Sequence, residues 1–233
     1  MTTPAYQEFV TLGDFLRLGL PPEALRTART THAPITPTGA GAGLVVPAGC
    51  LDVAALELDQ LAVRVQVVVG GVPGVATWRW SPDGGTTWTT AATTPATAAA
   101  PLVMPWGVPT GVSVRFVGTL VTGATYAWTS VSAVATCRRA GNEEIARYLA
   151  RAFTLPLTEV PTDVVRDGCC IIAADVMAVT GYRPADGADE LIEKRAAGAR
   201  KRFAEAQRGE TQPRATEAAP AVRGPRVSTG TRR

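Results

Sequence analysis

From Asn142 to Pro161 the chain reads NEEIARYLARAFTLPLTEVP; after a small-residue apolar run it continues from Gly181 as GYRPADGADELIEKRAAGARKRFAEAQRG, ending at Gly209. This stretch predicts three helices joined by two proline-bearing turns. Asn142 suits an N-cap, with Glu143 and Glu144 in a first turn where negative charge is favoured. Ile145, Tyr148, Leu149 and Ala152 then fall on one apolar face, and Pro156 closes the helix. Leu155, Leu157 and Val160 form an apolar connector. A second helix starts at Thr162 or Asp163. Its faces Val165, Cys169, Ile172, Val176, Val179 and Val164, Gly168, Ile171, Ala178 are both apolar, which predicts a central helix. Asp175 is the one acid in the later part of that run, and it is expected to reach solvent or a neighbouring subunit's arginine. Gly181 suits the position after the helix end. The last helix carries Ile192, Ala196, Ala199, Phe203 and Ala206 on one stripe, with Glu193, Lys194, Arg195, Arg200, Lys201, Arg202 and Glu205 elsewhere.

Outward from this stretch the grammar changes. Residues 9–18, FVTLGDFLRL, predict a short helix capped by Thr11, with Asp14 in its first turn. THAPITPTGAGAG, from Thr31, reads as a linker and holds His32, the only histidine. From about Leu44 to Ala135, short β-branched runs (LAVRVQVVV, ATWRW, GVSVRFVGTL, ATYAWTSVSA) alternate and are bounded by Gly and Pro. They predict a small antiparallel sandwich or barrel. The fold class is therefore α+β: a small helical domain interrupted by an antiparallel β-sandwich insert, followed by an extended tail. The expected divisions are 1–37, 38–136, 137–210 and 211–233.

Ser81-Pro82-Asp83-Gly84-Gly85-Thr86-Thr87-Trp88 matches the S-x-D-x-G-x-x-W Asp-box. Ser81, Asp83, Gly85 and Trp88 are expected to lock a hairpin: Asp83 accepts backbone N–H bonds, the glycines supply positive φ, and Trp88 plugs the turn. Sialidase propellers repeat this motif at blade spacing, whereas this chain has one copy. A structural hairpin is the expectation, with glycan or host-surface binding by the β module as the alternative.

Charge is unevenly spread. Residues 1–137 hold 6 basic and 7 acidic side chains, 138–210 hold 12 of each, and 211–233 hold 5 and 1. No apolar run reaches the roughly 20 residues of a membrane span, and MTTPAYQEFV lacks the pattern of a signal peptide, so synthesis in a cytoplasm is expected. Cys50, Cys137, Cys169 and Cys170 lack metal or redox spacing and are expected to be small buried apolar residues. No nucleophile–base pair or acid pair can be named, so no enzyme, metal or cofactor is expected. The final segment, TQPRATEAAPAVRGPRVSTGTRR, cannot bury enough surface to order alone and is expected to need a partner.

Three stretches together resemble the head–tail connector (adaptor) proteins of tailed bacteriophages. IARYLARAFTLPLTEVP resembles their YL-x-x-x-(Y/F)-x-LPL-x-x-(V/W)P passage. GYRPADGADELIEKRAAG resembles their closing G-Y-x-P-x-x-G-A-D-E-x-I helix, most specifically at Tyr182, Pro184, Gly187, Asp189 and Glu190. TLGDFLRL is similar to their N-terminal TLADL helix. The family member is usually all-helical, so the β module departs from it. The resemblance implies a virion structural protein of the neck, at the capsid vertex. It implies a homo-oligomeric ring of about twelve copies between the portal protein and a stopper or tail-completion protein, with genomic DNA passing through the lumen during packaging and ejection. It also implies a tail that reaches the portal, which places Arg214, Arg223, Arg226, Arg232 and Arg233 at that contact. Arg195, Arg200, Lys201, Arg202 and Glu193 are expected to serve contacts between subunits.

Overall fold

The computed structural model describes residues 7–18, 25, 28–39, 43–180, 188–210 and 216–217. The chain is α+β, with helices and antiparallel sheets gathered around two hydrophobic cores.

The β core is a sandwich. The first sheet runs β1 (Thr30–His32), β9 (Thr125–Ser132), β4 (Gln60–Val69), β5 (Thr77–Ser81), β6 (Ala92–Thr93), and β2 (Thr36–Thr38) also pairs with β9. The second sheet runs β3 (Leu44–Gly49), β8 (Pro109–Val117), β7 (Ala100–Val103). Period-two alternation decides what each sheet buries. Leu61, Val63, Val65 and Val67 of β4 face Trp78, Trp80, Tyr126 and Trp128 on one layer, and Val45, Leu102, Val114 and Phe116 close the other. Trp78 and Phe116 meet tilted, 4.9 Å between ring centroids.

The segment read as a linker contains β1 and β2. Both are three-residue strands held by pairing to β9, Thr30 opposite Ser132 and Thr36 opposite Ala127. Runs of three residues interrupted by Pro34 and Pro37 carry little strand signal, and the long neighbouring strand supplies the pairing.

The helical core is built from α1 (Leu12–Leu18), α3 (Ala133–Leu149), α4 (Thr162–Thr180) and α5 (Ala188–Arg208). Thr11 and Asp14 form a capping box: the Asp14 N–H donates to Thr11 Oγ1 and the Thr11 N–H to Asp14 Oδ2, each at 3.2 Å. The short α2 (Val53–Leu56) belongs to the module by sequence, yet it puts Val53 into the helical core and so ties the two bodies together.

The start of α3 differs from the sequence reading. β9 runs directly into it, with Ser132 as N-cap accepting from the Val134 N–H. The helix begins nine residues before Asn142, which lies buried in its middle. Val134, Cys137, Gly141, Ile145 and Leu149 form the buried stripe.

α4 is the central helix. Val164, Cys169, Ile171, Ile172, Val176 and Met177 are buried around it, whereas Ala178 and Val179 at its end are exposed. Its small residues set the packing distance. A Cβ added at Gly168 would stand 2.6 Å from Val10 Cγ2 and 2.7 Å from Ile145 Cδ1, and one at Gly141 would stand 2.5 Å from Ile172 Cγ1. Of the stripe read from the sequence, α5 buries Ala196, Ala199, Phe203 and Ala206, with Ile192 half-buried at its start, and Tyr148 stacks on Phe203 at 6.0 Å.

Candidate functional site

The Asp-box forms as its sequence predicts. The Ser81 hydroxyl donates to Asp83 Oδ1 at 2.7 Å and accepts from the Gly85 N–H at 2.8 Å. Asp83 Oδ1 accepts from the Thr86 and Thr87 amides at 3.0 and 2.8 Å. Gly84 and Gly85 sit at φ 73° and 113°. The Trp88 ring lies over Gly85 and carries the Arg79 guanidinium on its face, 4.6 Å from the centroid. Arg79 is fixed by Gln66 Oε1, and Arg64 donates to the Gly84 carbonyl at 3.1 Å. Both arginines near the box are thus engaged in holding the hairpin.

The Thr87 amide and Ser81 hydroxyl hold the Asp83 carboxyl well below the usual carboxylate range. A depressed folded pKa means that its stabilisation is complete above the unfolded value of about 3.9 and is lost as pH falls towards the folded one. The Thr86 and Thr87 amide resonances are therefore expected to titrate only under acid conditions, well below about pH 3.9. In Asp83→Ala that titration should vanish and Trp88 fluorescence should shift at neutral pH. Amides that ignore both acid and the substitution would contradict this geometry.

His32 lies in a strand, and its Nδ1 stands 2.9 Å from Ser130 Oγ. This Ser–His contact was invisible in the sequence. It lacks the means to act: Ser130 is fully buried, its Oγ accepts from Trp128 Nε1 at 3.1 Å, and burial lowers the His32 pKa. No substrate could reach that hydroxyl. Among the described residues, no group of His, Cys, Asp and Glu is arranged to hold a metal ion. Cys137 and Cys169 are buried as expected, and burial pushes the Cys169 thiol up to about 12; Cys50 is exposed, against expectation.

The charged residues expected between subunits divide into two groups. Arg200 donates to Glu144 at 3.0 Å and to Asp175 at 3.1 Å, joining α3, α4 and α5. Asp175 therefore finds its arginine within the chain. Arg202 grips the buried Asp167 with two bonds of 2.6 Å. Lys201 lies 4.0 Å from Glu205, one turn along the helix. Glu193 and Arg195 are exposed beside the Glu190–Lys194 pair, so the free charge of this surface is at the first half of α5. Tyr182, Pro184 and Gly187 lie outside the described residues, as do Arg214, Arg223, Arg226, Arg232 and Arg233; for Asp189 only the backbone, in α5, is described. Of the tail, Thr216–Glu217 (β11) pairs antiparallel with β10 (Leu157–Glu159).

Three anchors were missed by sequence reasoning. Asn142 Oδ1 accepts from the Phe9 and Val10 amides at 2.9 and 2.8 Å, and its Nδ2 donates to the Val10 carbonyl at 3.1 Å. The Gln7 amide brackets Leu157 in the same manner, accepting from its N–H at 2.7 Å and donating to its carbonyl at 3.0 Å. Arg138 binds Asp59 at 2.8 Å and pairs with Glu8, so α3, the start of β4 and the N-terminal segment meet at one guanidinium. The stripe Val134, Cys137, Gly141, Ile145, Leu149 was the signal that could have placed Asn142 inside a helix. Gln7–Leu157 and Arg138–Asp59 have no local signature.

No protein-family model matches the chain, and no curated protein matches it. Among solved structures it is similar to FlgL of Xanthomonas campestris, with 10% identity and a TM-score of 0.26 over 75% of this chain. The match spans about half of that protein, 48% of its length.

Proposed function

We propose that this protein is a structural head–tail connector of a tailed phage, forming a ring on the portal with DNA passing through the lumen. One observation carries the reading. The stretches that resemble the connector family are far apart in sequence, yet those described pack into a single body. α1, from TLGDFLRL, lies on α4; the YL-x-x-x-F-x-LPL passage supplies the end of α3 and β10; and α5 packs on α3 and α4. Asn142 and Gln7 fasten the segment just ahead of the first stretch to α3 and to the LPL passage, across sequence separations of 133 and 150 residues. The β module is added without breaking that body, because Ser132 and Val53 join it at one end.

The residues suit such a role. The internal pairs Arg200–Glu144, Arg200–Asp175 and Arg202–Asp167 stiffen a wedge, and the exposed charges around Glu193 and Arg195 are available to a neighbouring wedge. The test is native mass spectrometry and electron microscopy of the purified chain. A closed ring of about twelve copies is expected. A chain that stays monomeric, alone and with portal, would overturn the reading.

A further inference from the structure

The outer face of the first sheet carries a groove between the Asp-box turn and the short edge strand β2. Side chains directly opposite each other in an antiparallel pair share a face. The pairings Thr36–Ala127, Ala127–Arg64 and Thr129–Ala62 therefore put these residues together on the side turned away from the sandwich core. Ala62 and Ala127 give the groove a low floor. The Asp-box turn forms one wall, with Asp83 bridged to Ala62 and Gly84 facing the groove, and residues 33–36 form the other. The space between is about 440 Å³, the size of a small-ligand site.

The charge on this face is of one sign. β2, β4, β5 and β9 contain two arginines, Arg64 and Arg79, and no acidic residue. Arg79 lies outside the groove and is engaged by Gln66 Oε1 and the Trp88 ring. Arg64 lines the groove, and its Nη1 donates to the Gly84 carbonyl. Its other N–H groups meet no carboxylate among the described residues. Asp83, in the wall, turns its carboxylate into its own turn, where the Ser81 hydroxyl and the Thr86 and Thr87 amides occupy it. The groove also presents the hydroxyls of Thr36, Thr125 and Thr129, which bond no other described residue.

We infer that this groove binds an acidic saccharide of the hexuronate class, with the sugar carboxylate on Arg64 and the sugar hydroxyls on the threonines. A guanidinium fork matches an oxyanion, and that of Arg64 has no counter-charge in the groove. Threonine hydroxyls both donate and accept, as neighbouring sugar hydroxyls require. Other anionic partners fit less well. A peptide added as a strand would pair with β2, which is joined only to β9, but Pro37 at its centre has no N–H to offer. A peptide helix needs an apolar groove, whereas this one is floored by alanine and lined by threonine. A nucleic-acid strand needs a row of cations along its phosphates, and the groove holds one arginine. The site lies within one chain and is independent of the ring and portal reading.

The experiment titrates the full chain with a galacturonate trisaccharide, its carboxyl-reduced neutral counterpart and hexaglutamate, read by saturation-transfer NMR, which serves a monomer and a ring alike. The galacturonate should bind with a Kd of about 1 mM or tighter, more weakly as salt is added. The neutral sugar and the peptide should each bind at least tenfold more weakly. Arg64→Gln removes the charge, and Ala62→Leu fills the floor while leaving Arg64 and its Gly84 bond in place. Both should weaken galacturonate binding at least tenfold. Ala62 is exposed, so the thermal midpoint of Ala62→Leu should match the wild type and separate a blocked groove from a lost fold. No galacturonate binding up to about 10 mM, binding indifferent to Ala62→Leu, or equal binding of the neutral sugar or of hexaglutamate would each overturn the inference.

Discussion

Asn142→Leu is expected to destabilise the protein by about 3–5 kcal/mol, although it introduces an apolar side chain of similar size into a buried site. The reason is the polar atoms it strands. Asn142 is fully buried and is the partner of the Phe9 and Val10 amides and of the Val10 carbonyl. Each buried polar group left unsatisfied costs about 1–3 kcal/mol. Phe9 and Val10 are themselves core residues, so the segment cannot simply move to water without exposing them. The loss compares with a total stability of about 5–15 kcal/mol for a typical domain. The measurement is the urea midpoint at unchanged slope, together with amide exchange at Phe9 and Val10, which should accelerate first. A shift below about 1 kcal/mol, the scale of a single ordinary hydrogen bond, would contradict this role.

Arg138→Met is expected to cost a comparable amount, about 3–5 kcal/mol near neutral pH, because it leaves a buried carboxylate without its cation. Asp59 is only 5% exposed, and its backbone carbonyl also accepts from the Ser132 N–H at 2.9 Å, so the carboxyl cannot swing into water cheaply. Burial pushes the Asp59 carboxyl up from its ordinary value. A raised folded pKa means that the folded state holds the proton more tightly. Stability from this group therefore falls as pH rises from about 3.9 through the folded value, and the deficit of the variant should shrink on acidification. The double variant Asp59→Leu/Arg138→Met should recover most of the loss, since replacing both partners removes the stranded charge. Additive losses in the double variant would show that the two residues act separately.

Much of the fold is legible in local sequence. The Thr11 cap, the Asp-box hairpin, the two-sided apolar pattern of α4 up to Met177 and the α5 stripe from Ala196 to Ala206 are short-range features that form as read, whereas Ala178 and Val179 at the end of α4 are exposed and Ile192 is half-buried. The beginning of α3 is not legible, because TSVSAVAT is small and β-branched and continues the strand signal of β9 past the point where Ser132 caps the helix. β1 and β2 are hidden for the opposite reason: each is only three residues long and Pro34 and Pro37 break the run, so pairing with β9 is what makes them strands. Of the charged positions, Arg200 and Arg202 looked free because their acids, Glu144, Asp175 and Asp167, lie on other helices. The anchors Asn142, Gln7 and Arg138 join residues far apart in sequence, and no spacing rule reaches that distance.

A connector must hold the portal on one side and the stopper or tail on the other, and in this chain the basic tail is the proposed portal contact. The direct measurement is co-assembly of purified portal with the full chain and with a chain lacking 211–233, read by electron microscopy and by the fraction of chain bound. The full chain should decorate the portal as a ring. The truncated chain should keep its helical fold, since the described core lies within residues 7–210, yet bind at least tenfold more weakly. Undiminished attachment without the tail would remove the tail from the contact, and failure of the full chain to bind portal would contradict the connector reading itself.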